Sequence, residues 1–477
     1  MMAELTRLWH GQLVDELEHM DAPQFWQQVD RLATHLKDMQ LSCVAVELDN
    51  GLLWLVVDFA LMQAGIVSLP LPAFFSPEQR QFALDKARPE LIIGVVEQAK
   101  NAAQNGIEVW TIGSESIALQ PSNLAAPEHA VPQGTQKITF TSGSTGQPKG
   151  VCLSAAHMFD VAASLVSRTK VNAPKHLCLL PLPVLLENVA GVYAPMLACG
   201  DIYVPSLASL GFDGARLTSP QKLLATISEV EPNTLILVPE LLKVLVQACA
   251  SGWQAPSSLT FIAVGGAKVA PQLIERAHDL GLPVYQGYGL SEAGSVVSLA
   301  TSGAAGVGEP LAHVRYEIRD DEMIIKAPTF LGYLGEPNTQ SQGFATGDLV
   351  RMEYGELHIL GRKKNQLILS TGRNISPEWP ESLLLSQGPI LQAVVVGEGQ
   401  AFLSVLIYCH EAVDDAQLEA LIDATNAQLP EYAQIVKTLR LNAPLSTAEG
   451  LLSANQRPKR PAINAHFSQQ ISQLYQE

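Results

Sequence analysis

Short apolar runs alternate with stretches of helical periodicity through the first two thirds of the chain. Residues 51–64 and Pro77–Ala87 have the pattern of helices, and Ser76 suits the N-cap of the second helix because a proline follows it. The strand-like runs are VAVEL (44–48), IVSLPL, LIIGVV, LCLLPLPVLLENVAG (177–191), TLILVP (234–239) and LTFIAVGGA (259–267). Such alternation predicts an α/β fold in which helices cover parallel-type sheets.

The pattern changes after about residue 310, where shorter strands separated by turns predict a small β-barrel-like subdomain. The charged stretch Lys363–Asn365 then predicts a domain boundary. We therefore expect a large N-terminal domain over residues 1–363 and a small α+β C-terminal domain over residues 364–477. Residues 119–134, rich in proline, alanine and glutamine, are expected to form a surface connection.

The composition narrows the class of protein. A chain of 477 residues with 47% hydrophobic and 16% charged residues is typical of a well-buried globular enzyme with two or three domains. The net charge of −17 argues against general binding to nucleic acid or anionic membranes. Any polyanion site must then be a local patch of basic groups and N–H donors, and the expected partners are small molecules or a specific protein.

The spacing of the cysteines and the apolar runs indicate the cellular compartment of the protein. The six cysteines are scattered without a C-x-x-C pair, which predicts neither a zinc site nor a disulfide framework and favours a reducing cytoplasm. The first residues lack the basic and apolar regions of a secretory signal. The most apolar stretch, residues 52–75, contains Asp58, Gln63, Gly65, Pro70 and Pro72, so we expect no membrane span.

The strongest chemical signal is the sequence TSGSTGQPKGV at residues 141–151. Two glycines and four hydroxyl side chains precede a lysine, so backbone N–H groups and hydroxyls can converge on a phosphate group. The residues of this predicted phosphate cradle are Thr141, Ser142, Gly143, Ser144, Thr145, Gly146 and Lys149.

The composition of this loop also suits two other kinds of structure. A Walker A sequence would need glycine where Pro148 stands and Ser or Thr where Gly150 stands, which disfavours a plain P-loop NTPase. A flexible Gly/Ser surface loop is the other alternative. The strand-like KITF before the loop and the helix-compatible stretch after it favour a ligand site at a strand end.

Together with the motifs that follow it in order, this loop resembles the adenylate-forming enzymes, which include acyl-CoA synthetases, luciferases and the adenylation domains of peptide synthetases. The resemblance covers nearly the whole chain. It implies an enzyme that uses ATP and Mg²⁺ to convert a carboxylic acid to an acyl-adenylate, and then transfers the acyl group to a thiol of CoA or of a carrier protein's phosphopantetheine.

The resemblance assigns nucleotide contacts to two further segments. VGGA at residues 264–267 would line the adenine pocket, and QGYGLSEAG at residues 286–294 matches the Y-G-x-[ST]-E signature. In that signature Tyr288 lies against adenine, Ser291 contacts the α-phosphate and Glu292 is a ligand of Mg²⁺. The other residues expected at the nucleotide are Gly266, Ala267, Gln286, Gly287 and Gly289. The alternative for Glu292 is a carboxylate at a helix N-terminus.

Two motifs concern the ribose and the domain hinge. FATGDLV at residues 344–350 matches a T-G-D motif in which Asp348 accepts hydrogen bonds from the ribose hydroxyls. Arg362, fourteen residues further on, would reach the ribose or a phosphate. By resemblance, Lys364 is the hinge about which the small C-terminal domain rotates between the two half-reactions.

The acyl and thiol tunnel is assigned to three residues. Gly372, in LSTGRNISPEWPE, would allow close approach of a pantetheine arm, with a loop at a domain edge as the alternative. Val184 and Leu185 stand where many relatives have an aromatic residue or histidine, and an apolar lining favours a fatty or aryl acid over an amino acid. Core packing explains these two side chains equally well.

The C-terminal motif departs from the family pattern. Relatives carry a near-terminal T-x-x-G-K-x-x-R whose lysine bridges the substrate carboxylate and the α-phosphate. The ungapped match here places Gln456 at the glycine and Arg457 at the lysine, and Lys459 is the other candidate. Arginine retains the charge but not the shape of lysine.

Three functions therefore remain from the sequence. The first is the AMP-forming acid–thiol ligase, with Lys149, Glu292, Arg457 and Lys459 as catalytic residues. The second is a non-catalytic relative that binds ATP or an acyl ligand, motivated by Arg457, and the third is a simple NTP hydrolase. The sequence leaves open which acid is used, whether CoA or a carrier protein is the acceptor, and whether the chain is a monomer or a homodimer.

Overall fold

The computed structural model describes residues 2–95, 107–122, 124, 131–141, 148–214, 216–303, 306–327, 329–336, 343–453 and 456–476. Within these ranges, the helices are Met2–Leu8, Ala22–Asp38, Leu52–Ala64, Pro77–Ala87, Ala155–Thr169, Ala194–Leu197, Pro220–Val230, Pro239–Ala250, Pro271–Asp279, Glu378–Ser386, Asp415–Asn426, Arg460–His466 and Ser468–Gln473. None of them combines the length and apolar character that a bilayer crossing requires.

Two large sheets organise the first 336 residues, as far as these are described. The strands of one, in spatial order, are Glu309–Pro310, Ser295–Leu299, Val284–Leu290, Phe261–Val264, Thr234–Leu237, Lys175–Leu177, Asp201–Tyr203, Gln12–Val14 and His19–Asp21. Those of the other are Gly332–Tyr333, Lys149–Leu153, Lys137–Thr141, Val67–Pro70, Cys43–Glu47, Leu91–Val95, Glu115–Pro121 and Glu108–Ile112. Both sheets have parallel centres and antiparallel edges.

The remaining strands form smaller sheets. A four-stranded antiparallel sheet contains Arg315–Arg319, Glu322–Ala327, Phe344–Glu353 and Glu356–Arg362. A three-stranded sheet near the C-terminus contains Ile390–Val396, Leu403–Cys409 and Ile435–Arg440, and its helices pack with it around a separate apolar core. The short pairs are Phe212–Asp213 with Arg216–Leu217 and Leu367–Ile368 with Asn374–Ile375. The predicted α/β fold with a small α+β C-terminal region is confirmed.

Local sequence patterns predicted many of the helices and strands correctly. The helix Pro77–Ala87 has the predicted bounds, and Ser76 caps it by accepting a hydrogen bond from Gln79 N while Gln79 Oε1 accepts one from Ser76 N. Two strands extend into segments for which the sequence pattern did not predict them. The strand Glu115–Pro121 includes the start of the predicted surface connection, and the strand Lys149–Leu153 separates the phosphate loop from the next helix. Both segments hydrogen-bond to neighbouring strands, which their own composition does not show.

The apolar run at residues 177–191 is the main element that the pattern did not resolve. Its strand ends at Leu177, and a π-helical segment, Leu186–Tyr193, follows. Fully buried strands and helices are equally apolar, so periodicity does not distinguish them. Buried polar contacts fix the wide turn: Glu187 accepts hydrogen bonds from His176 Nε2 and from Leu180 N, each at 2.9 Å.

A buried ion pair ties this segment to the rest of the large domain. Lys137, on the strand that leads into the phosphate loop, lies 2.7 Å from Asp58 Oδ1, and both side chains are at most 3% exposed. The Lys137 ammonium also donates to Asn188 Oδ1 at 2.5 Å, and Tyr193 Oη donates to Asp58 Oδ2 at 2.6 Å. Burial lowers the pKa of Lys137, and the charge of Asp58 opposes that shift. The helix Leu52–Ala64 is thereby joined to the strand and to the π-helical segment.

Removing one member of this pair is expected to destabilise the protein strongly. Lys137→Met leaves the Asp58 carboxylate buried without its cation, and the loss of unfolding free energy should be about 3–5 kcal/mol. In the double variant Lys137→Met/Asp58→Leu, part of this loss should be recovered because no uncompensated charge remains. Urea unfolding followed by circular dichroism measures both. Arg351→Met is the control, since it removes a pair with Glu353 in which both side chains are exposed, and it should change stability by less than about 1 kcal/mol. Equal stability of the single and double variants would contradict the prediction.

Candidate functional site

The carboxyl ends of three neighbouring parallel strands form one side of the candidate site. These strands are Thr234–Leu237, Phe261–Val264 and Val284–Leu290. The chain turns after the middle strand at Gly265 and Gly266, where Gly265 N donates to Leu237 O and Gly266 has a φ of +83°. The left-handed conformation favours glycine and leaves Gly266 and Ala267 exposed at the edge of the sheet. Ligands of open α/β sheets bind at such an edge.

The third strand continues into the segment that carries Glu292. A side chain at Gly289 would collide with the carbonyl oxygen of Ser295, so glycine allows the strand to fold tightly back on the next one. A short 3₁₀ turn, Ser291–Ala293, follows. Glu292 is half-buried there, and its Oε1 accepts a hydrogen bond of 2.8 Å from Tyr333 Oη. Within the described part of the chain, Glu292 Oε2 has no hydrogen-bond donor, which suits a carboxylate that serves a hard cation.

The other predicted residues of this strand lie where it pairs with the next strand or in the turn that follows it. Gln286 is buried and its backbone oxygen accepts from Ala300 N, while Gly287 packs against Leu299. Ser291 is half-buried at the start of the turn. The strand therefore brings Gln286, Gly287, Tyr288, Gly289, Ser291 and Glu292 to one edge of the sheet.

Asp348 is the most strongly held carboxylate of the site. It lies inside the strand Phe344–Glu353, directly opposite Arg362 in the antiparallel pairing, although its motif is common in turns. Only 2% of Asp348 is exposed. Its Oδ1 lies 2.7 Å from Arg362 Nε, and its Oδ2 accepts a hydrogen bond of 2.6 Å from Tyr288 Oη. The three predicted nucleotide residues Tyr288, Asp348 and Arg362 are thus brought together across two sheets.

Burial and charge act in opposite directions on this cluster. Burial raises the pKa of Asp348, whereas Arg362 and the hydrogen bond from Tyr288 oppose the shift. Burial and the neighbouring carboxylate hold the pKa of Tyr288 well above its ordinary value. The Tyr288 hydroxyl is therefore a permanent donor at neutral pH, and the guanidinium is the charge that keeps Asp348 usable as an acceptor.

The phosphate loop is described only at its two ends. Thr141 pairs with Lys149 at the base of an antiparallel hairpin, while Ser142, Gly143, Ser144, Thr145 and Gly146 lie outside the described residues. Lys149 Nζ lies 2.9 Å and 3.2 Å from the two carboxylate oxygens of Glu336.

Lys149 Nζ also lies 4.3 Å from the centre of the Tyr333 ring. Because the hydroxyl of Tyr333 bonds to Glu292, this tyrosine contacts both the predicted phosphate cation and the predicted metal ligand.

The C-terminal segment contributes one of its two candidate cations. The Arg457 guanidinium donates a hydrogen bond to Gly266 O, and its charge opposes the rise in the pKa of Asp348. Lys459 instead precedes the helix Arg460–His466, with its backbone N–H on Leu451 O and its side chain exposed. The structure therefore brings Arg457, rather than Lys459, to the strand ends.

The residues predicted for the acyl and thiol tunnel and for the hinge differ in their burial. Val184 is half-buried, but Leu185 is 4% exposed and packs in the main apolar core, as the core-packing alternative required. Gly372 turns a short hairpin with a φ of +77°, and a Cβ there would meet nothing within 4 Å. Lys364 is exposed in the 3₁₀ turn Lys363–Asn365 that joins Arg362 to the C-terminal region.

Sequence reasoning missed Tyr333 and Glu336. Tyr333 ends the small strand Gly332–Tyr333 and Glu336 follows it, and this strand pairs with the strand that begins at Lys149. The two strands lie far apart in sequence, and the pairing uses backbone groups that any residue provides. An aromatic residue followed three positions later by a carboxylate is not a pattern that indicates a functional site.

Both parts of the chain match models of a known protein family. The AMP-binding enzyme family matches residues 10–334, and the AMP-binding enzyme C-terminal domain matches residues 364–477. The 2-succinylbenzoate–CoA ligase of Bacillus cereus (strain ATCC 10987 / NRS 248) is 26% identical over 433 residues, which are 84% of this chain and 84% of that protein.

Two solved structures show the same fold. The anthranilate CoA ligase AuaEII in complex with anthranoyl-AMP superposes with a TM-score of 0.79 at 14% identity and covers 98% of this chain and 96% of its own. The o-succinylbenzoate CoA synthetase MenE from Bacillus subtilis, with ATP and magnesium ion, gives a TM-score of 0.76 at 19% identity, with 96% and 98% covered. The family match over both parts of the chain shows that this protein belongs to the AMP-binding enzymes, the adenylate-forming family that its motifs resemble.

Proposed function

We propose that the protein is an ATP-dependent acid–thiol ligase that makes an acyl-adenylate and then an acyl thioester. The observation that carries this proposal is the hydrogen bond from Arg457 to Gly266 O beside Asp348. A cation from the C-terminal segment reaches the edge of the sheet where the family motifs assign adenine and ribose. A carboxylate and an α-phosphate that meet at this edge would have their negative charges offset by Arg457.

The first half-reaction joins an acid to AMP. An oxygen of the substrate carboxylate attacks the α-phosphorus of ATP in line, the bond from that phosphorus to the β-phosphate oxygen breaks, and pyrophosphate leaves. Asp348 would accept hydrogen bonds from the ribose hydroxyls, and Lys149 would stabilise charge on the phosphates. Positioning and electrostatic stabilisation supply most of the rate, so no nucleophilic side chain is needed.

Glu292 would hold Mg²⁺. One of its oxygens is already oriented by Tyr333, and the other is available to the ion. When bound, Mg²⁺ neutralises charge on the phosphate oxygens as they rearrange.

The second half-reaction transfers the acyl group to sulfur. The thiol attacks the acyl carbon, AMP departs and the thiol proton passes to the surrounding base or solvent. We propose that the C-terminal domain, residues 364–477, rotates about Lys364 for this step, which would present Gly372 to the thiol. CoA is the proposed acceptor, because the relatives described above are named CoA ligases.

The proposed acid is an aryl carboxylate rather than a fatty acid. The named relatives act on 2-succinylbenzoate and anthranilate. Half-buried Val184 would offer the acid an apolar surface, where burying an ammonium group would be costly, and this disfavours amino acids. The alternative is a relative that binds ATP without turnover, for which the replacement of the family's lysine by Arg457 is the reason.

Acid-dependent exchange of pyrophosphate into ATP tests the proposal directly. We expect exchange with at least one aryl acid from a panel of aryl, alkyl and amino acids, and thioester formation when CoA is then added. Exchange requires a reversible acyl-adenylate step, so a hydrolase would release orthophosphate instead. Tight ATP binding without exchange across the whole panel would favour the non-catalytic alternative.

The identity of the C-terminal cation can be tested by separating the half-reactions. Arg457→Ala should slow adenylation by about 10²–10³-fold, the usual effect of removing one charge-stabilising donor, while thioester formation from supplied acyl-AMP is spared. Arg457→Lys should recover part of the rate because the charge returns. Lys459→Ala is the matched control and should behave like the wild type. If Lys459→Ala is the slow variant, the ungapped motif match is wrong.

The ion pair between Lys149 and Glu336 should compete with ATP for the lysine. The two side chains are 31% and 49% exposed, so the pair is worth no more than about 1 kcal/mol. Glu336→Gln should therefore lower the KM for ATP by up to about fivefold and strengthen product inhibition by pyrophosphate. Steady-state kinetics with Glu309→Gln as control, which removes an exposed pair with Arg168, measures the difference. A KM that rises in Glu336→Gln would contradict the competition.

A further inference from the structure

The segment that carries Tyr333 is fixed to the phosphate-loop hairpin by backbone pairing. Tyr333 lies opposite Val151 in an antiparallel pair, and Leu331 N and Leu334 N donate to Cys152 O and Gly150 O, each at 2.8 Å. The tyrosine is therefore anchored on both sides in the chain. Its ring packs against Phe330, with 4.7 Å between the centroids, and the residue is half-buried.

The same segment holds Glu292 at two points. Phe330 N donates to the backbone oxygen of Glu292 at 2.8 Å, and Tyr333 Oη donates to its carboxylate oxygen Oε1 at 2.8 Å. The first contact fixes the turn, and the second fixes the rotation of the carboxylate. A metal-ligating carboxylate commonly needs such an outer partner, because an unoriented carboxylate loses rotational freedom when it binds the ion.

The ring of Tyr333 faces a second functional group. Lys149 Nζ lies over the ring at 4.3 Å from its centroid, a distance at which an aromatic face attracts a cation. Glu336 Oε1 also accepts a hydrogen bond from the same ammonium, at 2.9 Å. One side chain thus contacts the carboxylate proposed for Mg²⁺ through its hydroxyl and the ammonium proposed for the phosphates through its ring.

We infer that Tyr333 is a positioning residue that sets the distance between the metal carboxylate Glu292 and the phosphate cation Lys149, and so aligns the two groups on one triphosphate. The hydroxyl orients the carboxylate, and the ring supports the ammonium. This inference rests on the proposed function of the site.

Two substitutions separate the two contacts. Tyr333→Phe removes the hydroxyl and retains the ring, whereas Tyr333→Leu removes both. Two binding measurements that do not depend on catalysis are used. Electron paramagnetic resonance measures the binding of Mn²⁺ in the presence of a non-hydrolysable ATP analogue. Calorimetry measures the binding of the analogue without divalent ion. Tyr475→Phe is the matched control, because it removes a tyrosine hydroxyl that donates to Val396 O at 3.2 Å in the C-terminal region.

In Tyr333→Phe, the affinity for Mn²⁺ should fall by about 10–100-fold, the usual loss when an outer partner of a metal ligand is removed. Its affinity for the metal-free analogue should remain that of the wild type. In Tyr333→Leu both affinities should fall, and in Tyr475→Phe neither should change. A merely structural role would lower the thermal midpoint and both affinities together in Tyr333→Phe.

Unchanged Mn²⁺ affinity in Tyr333→Phe would overturn the inference while leaving the proposed function standing. The inference would also be overturned if Tyr333→Phe and Tyr333→Leu lost the same affinity for the analogue without divalent ion, because the ring would then make no contribution separate from that of the hydroxyl. If the wild type itself fails to bind the analogue, the proposed function and the inference both fail.

Discussion

The ion pair between Lys137 and Asp58 is the interaction on which the large domain depends. Three elements meet at this ion pair. They are the buried helix Leu52–Ala64, the strand Lys137–Thr141 that leads into the phosphate loop, and the π-helical segment Leu186–Tyr193 that follows Val184. A buried charge without its partner is costly, so these elements can pack only in the arrangement that joins the two charges. The positions of Val184 and of the strand Lys137–Thr141 are therefore coupled through the core.

Backbone pairing then sets the functional side chains at fixed separations. Asp348 faces Arg362 because the two strands of the small sheet place them in register, and Tyr333 faces Lys149 because its strand pairs with the phosphate-loop hairpin. Groups held on paired strands keep their geometry more reliably than groups on free loops. Arg457, a cation from the C-terminal segment, contacts this frame at Gly266.

Local charge balance explains how an acidic chain can serve a polyanion. The net charge is −17, yet each described cation of the site is held by an acceptor: Arg362 by Asp348, Lys149 by Glu336 and Arg457 by the carbonyl oxygen of Gly266. These partners stabilise the cations near the strand ends without a nucleotide. Asp348 is the most enclosed of the acceptors, and burial makes its ionised form dependent on Arg362.

The sequence by itself determined the family and the alternation of helices and strands, and it predicted Asp348, Arg362, Glu292 and Lys149 as site residues, because each lies in a short motif or a periodic pattern. It did not determine the π-helical segment, whose apolar residues suit any buried element, or the choice of Arg457 over Lys459. Only the tertiary structure placed Arg457, rather than Lys459, at the strand ends and revealed Tyr333 and Glu336 beside Lys149. The physical reason is that these contacts depend on backbone pairing and packing between segments far apart in the chain, which no local pattern encodes.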